Sequence, residues 1–147
     1  SYDKVNNPSF LSIQQKEYNF SLYLTVDTKK TIGLAGLLLE NGSDIFLELL
    51  YMDSSKLYYN FNFYGVKNNI IIDVKKESEE LDLVILGEEE LYRFGYMEDN
   101  EFVQINQIRT NLFSVEVSSS PFTGVTFGPF VKGLHSLGVF KKICINY

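Results

Sequence analysis

The chain has 147 residues, a length that suits one domain built around one sizeable core. Hydrophobic residues make up 45% of it and aromatics 15%, which excludes a disordered chain. A net charge of −6, with Arg93 and Arg109 as the only arginines, excludes nucleic acid and an anionic membrane surface as partners, because both would be repelled.

The ten tyrosines and twelve phenylalanines favour pleated, half-buried surfaces, and the strongest period in the sequence is two. Tyr18, Phe20, Leu22, Leu24 and Val26 alternate with Asn19, Ser21, Thr25 and Asp27, which predicts a strand with one buried face. A turn at Thr28-Lys29-Lys30 leads to a strand over 34–39, and Asn41-Gly42-Ser43-Asp44 turns into another over 45–52. After Asp53-Ser54-Ser55, Leu57, Tyr59, Phe61 and Phe63 alternate with Tyr58, Asn60 and Asn62. Strands over 70–74 and 81–86 flank the solvated stretch 75–80, and Gly87 with three glutamates turns into 91–97. Segments 102–108, 124–131 and 139–145 bring the count to about ten short strands, while 106–120 carries no clear period. Short strands between turn signals, without linker or repeat, predict an all-β fold: a two-sheet antiparallel β-sandwich running as a single domain over 1–147.

The residues of catalysis are mostly missing. His135, the one histidine, sits in the predicted loop Gly133-Leu134-His135-Ser136 and reads as a surface residue, with no nucleophile motif to serve. Cys144 rules out an internal disulfide and is expected to be a buried structural thiol. The glycines form no nucleotide-binding motif, so no cofactor is expected. The acidic runs match no specific cation loop, which leaves metal ligands unassigned and a structural calcium ion unsupported. No run reaches the ~18 apolar residues of a membrane span, no signal peptide is visible, and cytoplasmic residence is the expectation.

Glu80-Leu81-Asp82-Leu83-Val84 resembles the opening of the catalytic strand of lectin-like endoglucanases, and Glu80 and Asp82 would share one face of a strand. The position of the general acid, however, holds Ile85, or Val84 in the shorter form of the motif. Retaining hydrolysis needs a second carboxylate about 5 Å from the first, so this strand is not expected to be catalytic.

A longer resemblance covers the chain from Phe10 onward. Phe10-Leu11-Ser12-Ile13-Gln14-Gln15, Ala35-Gly36-Leu37, the succession 82–86, 91–96 and 102–105, then Pro121-Phe122-Thr123-Gly124 and Gly138-Val139-Phe140-Lys141 follow one another in a characteristic order. This order resembles the C-terminal concanavalin A-like jelly-roll sandwich of glycoside hydrolase family 43 β-xylosidases and arabinofuranosidases. Two positions depart from the family pattern. Gln14 stands where an arginine is usual, and Gly138-Val139-Phe140-Lys141 replaces Ala-Asp-Phe-Asp, so contacts made through those charges do not carry over.

The resemblance implies a non-catalytic accessory domain. The family's catalytic Asp, Asp and Glu lie on a five-bladed propeller N-terminal to the sandwich, which packs against it and lends an aromatic to the sugar pocket. The partner implied is that propeller on the same polypeptide, with a xylo- or arabino-oligosaccharide reached through it. Phe122 is the implied pocket-lid aromatic, with Thr123 and Gly124 beside it. The alternative is a free-standing carbohydrate-binding module, for which Tyr23, Tyr58 and Tyr64 on predicted polar faces could line up as a sugar platform.

Overall fold

The computed structural model describes residues 13–14, 19–75, 79–113 and 126–147. The strands are β1 (Ile13–Gln14), β2 (Phe20–Asp27), β3 (Ile32–Asn41), β4 (Ile45–Met52), β5 (Lys56–Phe63), β6 (Val66–Asp73), β7 (Glu80–Gly87), β8 (Leu91–Glu98), β9 (Glu101–Arg109), β10 (Thr126–Leu137) and β11 (Phe140–Asn146). One 3-10 turn, Thr110–Phe113, follows β9.

They form a six-stranded sheet in the order β1-β10-β3-β4-β5-β6 and a five-stranded sheet in the order β11-β2-β7-β8-β9, antiparallel throughout. This is a β-sandwich of the jelly-roll kind, as the sequence predicts. Alternation does the sorting: Phe20, Leu22, Leu24 and Val26 of β2 point into the space between the sheets, as do Leu37 and Leu39 of β3 and Leu47 and Leu49 of β4. Tyr92 stands at one centre of this core, with the rings of Phe20, Phe94, Phe113 and Phe127 at 5.6 to 6.3 Å. Such ring pairs add to the area they bury.

Three local expectations change. The strand expected over 70–74 begins at Val66, because Tyr64 and Gly65 make a two-residue hairpin with φ of 50° and 86°. Its first half, Lys67-Asn68-Asn69, reads as polar because β6 is an edge strand exposed there on both faces. His135 lies within β10 rather than in a loop, in an irregular stretch where the ladder to β3 breaks between Lys132 and Leu137. It is exposed all the same. Cys144 is half-buried rather than buried: it pairs with Tyr23 on the outer side of β11, while Ile143 and Ile145 take the inward positions.

Candidate functional site

The carboxylates that the sequence singles out are both tied down. Glu80 and Asp82 share the outer face of β7, as alternation requires. Asp82 Oδ1 accepts a hydrogen bond from Thr25 Oγ1 at 2.6 Å, and Glu80 Oε2 lies 3.3 Å from Lys141 Nζ. Val84 and Ile85, at the position where a general acid would stand, are fully buried. An open cleft near this end is also rich in carboxylates, but most of these are held by other groups. Glu79 pairs with Lys29 at 2.7 Å, Asp99 pairs with Lys75 at 3.0 Å, and Asp53 Oδ2 accepts from the Gly33 amide at 2.8 Å. The hydrogen bond and charge of Lys29 hold the Glu79 carboxyl below its usual range. Among the described residues no group of three or more His, Cys, Asp or Glu is arranged to hold a metal ion.

Phe122, Thr123 and Gly124 lie outside the described residues. The three tyrosines weighed as a sugar platform are not brought together. Tyr23 is on the outer face of the five-stranded sheet, Tyr58 is on the outer face of the six-stranded sheet, and Tyr64 is at the β5–β6 turn.

The outer face of the six-stranded sheet mixes apolar and polar side chains. Its cross-strand register sets side chains in rows. One row runs Ile71, Tyr58, Leu50, Gly36, Phe130 from β6 to β10. The next runs Asn69, Asn60, Glu48, Leu38, Gly128. The first row is apolar; Leu38, Leu50 and Phe130, together with Leu34, Phe46 and Tyr58 at their edges, form a second hydrophobic cluster separate from the main core. The second row carries amides and a carboxylate at its β6 end.

Lys132 joins the two rows. Its ammonium lies 3.0 Å from Glu48 Oε1, two strands from its own backbone, and 5.4 Å from the centroid of Tyr58, three strands away. The aliphatic stem must therefore run across the face over β3 and β4, which fits Leu50 being 0% exposed on an outer surface. Glu48 is only 3% exposed, and its Oε1 also accepts from Asn60 Nδ2 at 3.0 Å. Asn60 Oδ1 is buried and accepts no hydrogen bond among the described residues. The sequence signal for this site was Glu48 and Asn60 inside otherwise apolar or alternating strands. The contribution of Lys132 depends on non-local register and has no local signature.

No family model matches the sequence, and no curated protein does. Solved structures do. The fold is similar to part of a xylan β-1,4-xylosidase from Bacillus halodurans C-125, with a TM-score of 0.74 and 13% identity over 92% of this chain and 29% of that one. It is similar to part of the GH43B protein of a Bacteroides ovatus xyloglucan PUL, with a TM-score of 0.65 and 18% identity over 81% of this chain and 24% of that one. Sheep galectin-11, solved in complex with glycerol, matches with a TM-score of 0.55 and 12% identity over 92% of this chain and 94% of its own. The chain thus spans roughly a quarter of the length of these two chains, 24% and 29%. At these identities the likeness establishes the fold: a sandwich that forms a minor part of each GH43 chain, consistent with the C-terminal sandwich that the sequence resembles.

Proposed function

We propose that this chain is the accessory sandwich of a family 43 glycoside hydrolase, acting beside a separate catalytic propeller rather than as an enzyme. The observation that carries the reading is the asymmetry of coverage: 92% of this chain corresponds to 29% of a xylan β-1,4-xylosidase. The blocked positions at Val84 and Ile85 support it, because the Glu80–Asp82 pair on β7 has no general acid beside it. Exposed apolar side chains support a docking role, with Ile32, Tyr64, Val66, Ile71 and Leu137 each more than half exposed. A domain interface within one chain typically covers about 600–1,500 Å².

The partner in this reading is the catalytic domain of the same polypeptide, and the sugar it serves is a xylo- or arabino-oligosaccharide held there. Phe122 is proposed as the aromatic that reaches the pocket, flanked by Thr123 and Gly124. The coding sequence upstream of Ser1 is the direct test: an in-frame propeller domain supports the reading, and its absence overturns it. The purified chain is expected to turn over neither aryl xylosides nor aryl arabinosides. Turnover that disappears in Glu80→Gln or Asp82→Asn would overturn the non-catalytic assignment.

A further inference from the structure

We infer that the outer face of the six-stranded sheet is itself a binding site for a neutral oligosaccharide, centred on Asn60, Asn69, Glu48, Lys132 and Tyr58. This goes beyond an accessory role, since it gives the domain a ligand of its own. It draws on that role only for the choice of xylose-based probes.

The argument rests on what the face offers a ligand. Asn60 Oδ1 is a buried acceptor without a donor among the described residues, and native structures rarely leave such an atom unpaired. The neighbouring side chain across the ladder is Asn69, exposed, with both a donor and an acceptor. The Lys132 side chain is 40% exposed, and its ammonium has three protons, of which Glu48 Oε1 takes one. Glu48 and Lys132 cancel each other's charge, so the set favours neither anion nor cation. A neutral ligand that both donates and accepts at closely spaced points fits it, which is the chemistry of neighbouring hydroxyls.

The row beside it supplies the other half of sugar recognition. Ile71 and Tyr58 lie one pleat repeat away on the same strands, roughly 7 Å along the chain direction, as an apolar strip for the C–H face of a ring. Tyr58 is half-buried and Ile71 is exposed, so the strip is accessible at the β6 edge. Lys132 is the movable part. Its ammonium meets Glu48 at the end of a long flexible stem, so it can swing away from the polar row and open that row to a ligand while the stem stays on the sheet.

The test is an amide-detected NMR titration of the chain with xylotetraose, arabinotetraose and cellotetraose, with glycerol as the control for adventitious polyol binding. The expected result is a saturable shift of the Asn60 and Asn69 side-chain amides and of β4–β6 backbone signals by at least one tetrasaccharide, with glycerol inert. Asn69→Ala, at an exposed edge-strand position where substitution costs the fold little, should weaken binding several-fold. Asn60→Leu should abolish it, with the melting temperature recorded alongside. No saturable shift with any tetrasaccharide, or shifts mapping to another surface, would overturn the site. So would an Asn69→Ala or Tyr58→Ala variant that loses association with the catalytic domain but keeps sugar binding. That pattern would make the face a domain interface and leave the accessory reading standing. Conversely, sugar binding here in a gene without a propeller would sink the accessory reading and keep the site.

Discussion

The ring of Phe20 fills the space where a side chain on Gly87 would be. The two are cross-strand partners in β2 and β7, and a Cβ on Gly87 would come within 1.8 Å of Phe20 Cε1. Phe20 in turn packs on Tyr92 and Phe127 at 6.2 and 5.3 Å, so it has no free direction in which to yield.

Gly87→Ala should therefore destabilise the fold by about 1–3 kcal/mol, the usual cost of forcing an extra group into a packed core. In melting temperature that is a fall of roughly 2–4 °C for each kcal/mol in a domain of this size. Pairing it with Phe20→Leu should give a combined loss smaller than the sum of the two single losses, read from urea melts of all four proteins.

Lys132→Met retains the stem that covers Leu50 and removes the charge facing Glu48. The expected loss is about 2–3 kcal/mol, below the ~3–5 kcal/mol of a fully enclosed pair, because the Lys132 side chain is partly exposed. The double variant Glu48→Gln with Lys132→Met should recover most of it. A single variant as stable as the parent would mean that Glu48 is better hydrated than its burial indicates.

Tyr59 predicts the alkaline limit. Its phenol is fully buried between the sheets, its oxygen accepts from Asn106 Nδ2 at 3.3 Å, and burial pushes its ionisation well above the ordinary value of 10.0. With the folded value raised, the folded state holds this proton more tightly than the unfolded chain does. The stabilisation is fully present below pH 10.0 and is lost as pH rises toward the folded value. Stability should thus fall above about pH 10, and Tyr59→Phe should flatten that slope; an unchanged slope would assign it to the other tyrosines.

On the proposed accessory role, Phe122→Ala in the propeller-bearing parent should lower kcat/KM roughly tenfold with little change in melting temperature. A variant that melts much earlier and keeps its specific activity would assign Phe122 to the sandwich core instead.

The sandwich was legible because its strands advertise themselves locally. Phe20, Leu22, Leu24 and Val26 sort into the core by alternation alone, and β4 spans the very residues that the turn clusters on either side mark out. The failures share a cause. β6 hides its first half because both faces of the strand are exposed there, and His135 reads as a loop residue because a break in the β10 ladder leaves turn-like residues inside a strand. The face with Glu48, Asn60 and Lys132 is only half legible: Glu48 and Asn60 stand out as polar residues in their strands, but nothing local brings Lys132 to them. Residues 48, 60 and 132 meet only through the register of β10 on β3, β3 on β4 and β4 on β5, which no local period encodes.

That register also governs when the protein can exist at all. β10 docks on β3 and β11 docks on β2, so the last two strands sit beside two of the first in opposite sheets. Until both have left the ribosome, β2 and β3 present bare hydrogen-bonding edges next to Leu22, Leu24, Leu37 and Leu39. Closure over dozens of residues between β3 and β10, and over more than a hundred between β2 and β11, is a slow, non-local event, on the order of milliseconds to seconds for such topologies. The nascent chain therefore passes through a sticky, half-built sandwich, and truncation within β11 should yield aggregation rather than a slightly weakened fold.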